Sequence, residues 1–193
     1  VAGERWAKGR ILTAADLERV GRAVPQVERR PITVLIPERG DVHEDAAARR
    51  LAAAVAGPGV AAGEPAQSRI DLRATVAGVA RIDGSRVERM NAIDSLEVFT
   101  IMDGRVVEPG ALVASVKIAP HLVPEAALAA AEAVTRAAGR RGVVSVAPFQ
   151  PRRIAAVVKE SIRGIARDRF EASVQAKVEG LGSRLVGIDY VDD

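Results

Sequence analysis

The sequence contains no cysteine, and only 3% of its residues are aromatic. The lack of cysteine excludes disulfide bonds, thiolate metal ligands and a cysteine nucleophile. Single-stranded nucleic acids are usually bound by stacking on aromatic rings, so the shortage of such rings argues against that partner. Uncharged stretches such as residues 51–63 are too short to cross a bilayer and are interrupted by glycine and proline. We therefore expect no nucleic-acid partner, no membrane association and, by default, a cytoplasmic location.

The hydrophobic content and the low net charge of the sequence are typical of a folded protein. Of the 193 residues, 48% are hydrophobic, and the formal net charge is only +3, which argues against intrinsic disorder. The charge is unevenly distributed, since nine basic and two acidic side chains lie between Arg136 and Arg169. Two interpretations of this basic segment stay open: a solvated surface rich in arginine, or a region that attracts an anionic small molecule.

Capping signals predict two helices in the first part of the chain. A threonine followed three residues later by an aspartate predicts a helix over residues 14–23. Asp41 and Glu44 are expected to form a reciprocal cap at the start of a second helix, which glycine and proline end after residue 56. Between the two helices, the apolar run 32–36 predicts a strand.

Residues from about 66 to 123 are predicted to form a compact β-rich module. Hydrophobic residues alternate with polar ones from Arg69 onward, which is typical of a half-buried strand. Residues 96–102 and 105–107 flank an Asp-Gly turn and are expected to pair as a hairpin. Further strands are predicted over residues 69–74, 78–82 and 112–118.

The last third of the chain predicts a helix from Pro124 to Ala138, a short strand and then a β-α-β unit. Two apolar strands joined through a helix favour parallel pairing. A parallel sheet needs cover on both faces, so we expect residues 152–193 to be incomplete and to pack on another part of the chain or on another subunit. The elements of this unit are predicted as strand 154–158, helix 167–181 and strand 185–191.

The most polar segment contains Asp41, His43, Glu44 and Asp45. A histidine with three carboxylates could relay a proton or bind a metal, but no second histidine follows at the spacing of a zinc helix, and we predict no metal site. In the alternative interpretation the carboxylates are a helix cap, which leaves His43 unexplained. His121, the other histidine, is expected to be an ordinary turn residue.

Sequences that bind nucleotide phosphates through glycine-rich loops are absent from this chain. The turn 159–167 joins a strand to a helix start, where backbone N–H groups and the helix dipole could receive a phosphate. The alternative is a plain connection with solvent-facing arginines. Asn91 and Asp94 fit a turn that needs no ligand.

Several segments, in order, resemble one family. They are KGRILTAADLERV (8–20), GDVHEDAAARRLAAAVAG (40–57), RIDLRATVAGVARID (69–83), MNAIDSLEVFT (90–100), VVEPGALVASVKIAPHLVP (106–124) and PRRIAAVVKES from Pro151. In order and spacing the chain resembles bacterial proteins that carry a molybdopterin-binding domain of molybdenum-cofactor biosynthesis behind an N-terminal, β-containing region.

This resemblance implies a mixed α/β fold in two parts. Residues 1–147 would form an α+β region that contains the β-rich module, and residues 152–193 would be the first β-α-β unit of a mostly parallel sheet domain. The family's glycine-rich binding loops would lie beyond Asp193, so we expect these residues alone to bind a pterin phosphate weakly and in a salt-sensitive way.

The implied function is the binding of molybdopterin, a phosphorylated pterin, with Mg²⁺ as a further candidate, by a homo-oligomer. If the protein is an enzyme, the resemblance implies nucleotidyl or molybdenum transfer. The alternative is a noncatalytic module that senses a ligand or assembles subunits. The candidate ligand-binding residues are Asp41, His43, Glu44, Asp45, Arg69, Asn91, Asp94, Lys117, Arg163 and Arg167.

Overall fold

The computed structural model describes residues 6, 10–23, 34–136, 142–159 and 161–191. These residues contain five helices and eleven strands, which confirms the mixed α/β class, although most of the strand pairs are antiparallel. The helices are α1 (Ala14–Ala23), α2 (Glu44–Val55), α3 (Gly84–Asn91), α4 (Glu125–Arg136) and α5 (Ile165–Gly180). The strands are β1 (Asp41–His43), β2 (Val60–Ala62), β3 (Arg69–Ala74), β4 (Gly78–Ile82), β5 (Leu96–Thr100), β6 (Val106–Val107), β7 (Leu112–Ile118), β8 (Leu122–Pro124), β9 (Val144–Pro148), β10 (Arg153–Val158) and β11 (Arg184–Tyr190).

The chain divides into two compact units, residues 1–36 and residues 37–193. In the first unit, α1 begins with the predicted cap: the Thr13 hydroxyl accepts the Asp16 N–H, and the Asp16 carboxylate accepts the Thr13 N–H at 3.0 Å. These bonds from Thr13, followed by the charge of Arg10, lower the pKa of Asp16. The boundary that we predict between residues 147 and 152 lies within the second unit, so this domain division stays a prediction.

A four-stranded antiparallel sheet with the order β2-β3-β7-β5 is the centre of the second unit. Its alternating sequence directs one set of side chains inward, as Ile70 pairs in register with Val116 and Leu72 with Ala114. Helices α2 and α3 pack on this sheet, and α4 packs against both of these helices. The side chains of Leu51, Ile70 and Met90 are fully buried there.

Two smaller antiparallel sheets complete this part of the unit. One has the order β6-β4-β9, and the other pairs β1 with β8 directly before α2 and α4. Helices α2 and α4 are joined by Arg50, whose guanidinium donates to both carboxylate oxygens of Glu125 at 2.6 and 2.8 Å and to Glu132 at 2.9 Å. The bond from Arg50 holds the pKa of Glu125 below its usual value.

The last elements form the predicted β-α-β unit. Strands β10 and β11 pair in parallel, and α5 between them packs mainly on β11. Val186 is an extra residue in β11, because Ile154 pairs with Leu185 and Ala155 pairs with Gly187. Strands β10 and β11 form a sheet of two among the described strands. A complete sheet of five or more strands would have contradicted our expectation that this unit is incomplete.

Most predicted elements are confirmed, including α1, β3, β4 and β7, but the predicted hairpin is wrong. Strand β5 pairs with β7, and β6 pairs with β4, so the segments flanking the Asp103-Gly104 turn belong to different sheets. Residues 34–36 form no strand, and residues 31–33 and 137–141 lie outside the described ranges. None of the described helices is long and apolar enough to cross a membrane.

Candidate functional site

Helix α2 is capped by His43 rather than by Asp41. The Nδ1 atom of His43 accepts the Asp45 N–H at 3.3 Å, and the backbone of His43 is extended. Asp41 lies in β1, where its carboxylate accepts the Glu38 N–H at 2.9 Å, so the predicted reciprocal cap between Asp41 and Glu44 is wrong. Pairing with β8 keeps residues 41–43 extended and delays the helix start to Glu44. The cap therefore explains the histidine that the sequence left without a role.

Glu44 points inward and joins three separate segments. A single oxygen, Oε2, accepts the hydroxyl of Ser68 and lies 2.9 Å from Nδ1 of His121. The main chain makes a further connection, because the N–H of Glu44 donates to the carbonyl of His121 at 2.9 Å. Glu44 and Ser68 are buried, whereas the ring of His121 is 44% exposed. His121 is thus a loop histidine held by hydrogen bonds to Glu44, in agreement with the prediction from the sequence.

The turn that carries Ser68 adopts an uncommon backbone conformation. Gln67 and Ser68 both have positive φ values, and the two backbone hydrogen bonds between Ala66 and Arg69 close the turn around them. Positive φ is unfavourable for residues with a Cβ atom, so the turn needs support from its surroundings. The bond from the Ser68 hydroxyl to Glu44 and the bond from the Ile118 N–H to the Ser68 carbonyl supply that support.

Two candidate basic residues share the outer face of the four-stranded sheet. Arg69 and Lys117 are directly opposite each other on β3 and β7. Each faces a carboxylate: Arg69 bonds to Asp71 at 2.9 Å, and Lys117 lies 3.9 Å from Glu97. A shallow groove of about 290 Å³ lies on this face and includes Phe99. Although Arg69 follows Ser68 in the chain, its guanidinium is bonded on the outer face, away from the inward-pointing Glu44.

Asn91 has a structural role at the edge of the same sheet. Its side-chain amide donates to the Val98 carbonyl at 3.0 Å, and its side-chain oxygen accepts the Val98 N–H at 2.7 Å. Asp94 is exposed in the turn between α3 and β5. These contacts support the interpretation of this segment as a turn that needs no ligand.

The remaining two candidates lie at the start of α5. Gly164 precedes the helix with a positive φ and offers no side chain to cap it. Arg163 is exposed in the loop, whereas the guanidinium of Arg167 lies 4.0 Å from the centre of the Tyr190 ring and bonds to Glu171 at 2.8 Å. Arg167 lowers the pKa of Glu171, and partial burial followed by the bond to Glu171 raises the pKa of Tyr190. Arg167 is therefore engaged by Glu171 and Tyr190, whereas Arg163 makes no such contact in the described part of the chain.

A groove of about 660 Å³ runs between α5 and β11. No sequence signal indicated it, because it depends on how α5 lies across the strand. Its residues include Arg167, Glu171, Gln175, Leu185, Gly187 and Ile188. No group of three or more histidine, aspartate or glutamate side chains suited to a metal ion occurs in the part of the chain that the structure describes.

The structure thus separates the candidate residues into the α2 start, the outer sheet face, the β5 edge and the α5 start. Together these features define a mixed α/β protein with a buried polar cluster and an uncapped helix start in a basic segment. Comparisons with family models, curated proteins and solved structures give no match for this chain.

Proposed function

We propose that this protein binds molybdopterin, a phosphorylated pterin, during the biosynthesis or handling of the molybdenum cofactor. The observation that supports the proposal is the passage from β10 through Gly164 into α5. A parallel strand that leads through glycine into a helix without a side-chain cap leaves the N–H groups of Ile165 and Ala166 for an anion. The next two N–H groups, of Arg167 and Asp168, donate to the Gly164 carbonyl. The family resemblance of the sequence gives that anion its identity as the phosphate of a pterin.

The charges around this helix start favour an anion without enclosing it. Arg163 precedes Gly164, and the start of α5 lies within the basic segment from Arg136 to Arg169. Ser161, Arg163 and Gly164 in this loop are exposed, so bulk water and salt screen the attraction. We therefore expect weak, salt-dependent binding by the residues described.

The proposal has further parts that follow from the same resemblance. They are a cytoplasmic location, a homo-oligomeric state, Mg²⁺ as a second ligand and, if the protein is catalytic, transfer of a nucleotidyl group or of molybdenum. The buried Glu44 takes no part in phosphate binding under this proposal, since its carboxylate lies inside the protein and contacts Ser68 and His121.

Isothermal titration of the whole chain with molybdopterin, at low and at physiological salt, tests the proposal. Arg163→Ala should weaken binding a few-fold, the size expected for one exposed charge contact. Arg89→Ala removes an exposed arginine from α3 and serves as the matched control, which should leave affinity unchanged. Absence of binding, or tight binding that is insensitive to salt and to Arg163→Ala, would contradict a phosphate site at this helix start.

A second candidate function is a noncatalytic module that assembles subunits. The open edges of the β10–β11 sheet favour it, because no described strand pairs with either of them. In that case the polar residues at the start of α2 act only as a cap and as a connection between segments.

A further inference from the structure

Among the described strands, β11 is the longest one with an edge that pairs with no other strand, and it carries charges of both signs. Strand β11 has seven residues, and its far side pairs with no described strand. In contrast, the edge strand β2 has three residues, and the edge of β5 is closed by the side chain of Asn91. Exposed edges of this kind are templates for another strand unless the protein blocks them.

The extra residue in β11 determines which side chains share a face. Because Val186 has no partner on β10, Leu185 and Ile188 both lie on the α5 side, with Tyr190. Arg184 and Asp189 both lie on the opposite, outer side, where they are exposed. Without the extra residue, members of these two pairs would lie on opposite faces of the sheet.

We propose that β11 pairs antiparallel with β11 of a second copy of this chain. In a twofold register centred on Val186 and Gly187, Arg184 is opposite Asp189 of the second copy, and Leu185 is opposite Ile188 of the second copy. Twofold symmetry repeats each pair. Opposite charges therefore meet at both ends of the ladder on the outer face, and apolar side chains meet on the α5 side.

Two local features favour a second copy of this chain as the partner of β11. Arg153 and Arg184 are neighbours in register on the outer face. Neither guanidinium has a carboxylate partner in the described structure. Asp189 of the second copy would therefore compensate two adjacent positive charges. The groove of about 660 Å³ lies beside β11 on its α5 side. Leu185 and Ile188 of the added strand would lie beside this groove, against Ile188 and Leu185 of the first copy, and the contact would cover these apolar side chains.

The other free edge of the same sheet fits a second copy poorly. Strand β10 has the sequence RIAAVV, which contains one positive charge and no negative one. If β10 paired with β10 of a second copy, the positive charge of Arg153 would meet no negative charge on the other strand. The assignment of the dimer contact to β11 therefore rests on charge complementarity, and it does not depend on pterin binding.

Sedimentation velocity of the whole chain over a broad concentration range tests this proposal. The wild-type chain should form a dimer. Asp189→Arg should weaken the dimer about tenfold or more, because like charges then face each other at two symmetric positions. Adding Arg184→Asp to that variant restores opposite charges in the same register and should return the dimer to within about threefold of wild type.

Glu88→Arg makes the same change of charge at an exposed position on α3 and should leave dimerisation unchanged. Circular dichroism of each variant verifies that the β-α-β unit remains folded. A monomeric wild-type chain, a dimer that is unaffected by Asp189→Arg, or a double variant that stays monomeric although folded would overturn the proposal.

Discussion

Residues 37–148 and the β10–α5–β11 unit have similar apolar strands but differ in how those strands are covered. In the first region α2 and α3 pack on the four-stranded sheet, α4 packs against these two helices, and a large cluster of side chains is buried. In the second, Val178 is the only described residue that is buried, and Val157 on β10 is 70% exposed. The difference teaches that an apolar strand is buried only when distant segments supply its cover.

The largest expected effect comes from truncating a leucine in the covered region. Leu51 is 1% exposed, so Leu51→Ala should reduce the free energy of unfolding by about 2–5 kcal/mol through lost burial and a residual cavity. Leu181, at the end of α5, is 44% exposed, and Leu181→Ala should cost well under half as much. Urea denaturation of both variants measures the difference, and equal losses would mean that the two regions are equally well packed in solution.

A smaller effect should follow from adding a methyl group at Gly78. A Cβ atom there would overlap the Ala147 carbonyl on the paired strand β9, so Gly78→Ala should destabilise the protein by about 1–3 kcal/mol. Gly180 in α5 has open space around the same position, so Gly180→Ala should be neutral or slightly stabilising. Thermal unfolding of the two variants provides the comparison. A neutral Gly78→Ala would show that β4 and β9 are not so closely paired.

The smallest expected effect concerns two arginine–glutamate contacts and their pH dependence. Arg50 joins Glu125 across two helices, whereas Arg167 joins Glu171 within α5, and each contact lowers the pKa of its glutamate. A lowered pKa in the folded state adds stability above the usual value of 4.5, and this stability is lost as the pH falls through the lowered pKa.

Glu125→Gln should therefore be less stable than wild type at neutral pH, and the difference should shrink on acidification. Glu171→Gln should follow the same trend with a smaller amplitude, because its contact joins residues one turn apart on an exposed helix. Urea unfolding at a series of pH values measures both. A difference for Glu125→Gln that stays constant down to strongly acidic pH would contradict the role of its charge.

Local sequence signals predicted the elements whose causes are local. The alternation in β3 and the cap of α1 each depend on residues within a few positions, so these elements agree with the structure. The hairpin prediction failed because β5 pairs with β7 and β6 pairs with β4, so neither pairs across the Asp103-Gly104 turn. Pairing of strands over such distances depends on the whole core and leaves little trace in a short window.

The candidate site was predicted less well for the same reason. The sequence marked His43 and Glu44 as unusual, but their roles depend on β8 and on the turn at Ser68, which lie more than 20 residues away. Asp41 does not cap α2 because it is held in an extended conformation by the pairing of β1 with β8, and its carboxylate accepts the Glu38 N–H. Nothing in the sequence around Ser68 indicated that its hydroxyl would meet a buried carboxylate.

The two hydrogen bonds between Asn91 and Val98 block the middle of the β5 edge. A side-chain amide carries the same donor and acceptor as a peptide group, so Asn91 occupies the N–H and C=O of Val98 as a residue of a neighbouring strand would. An incoming chain that tried to extend the sheet from β5 would first have to displace this amide. One asparagine thereby protects the middle of the β5 edge without adding a further strand to the fold.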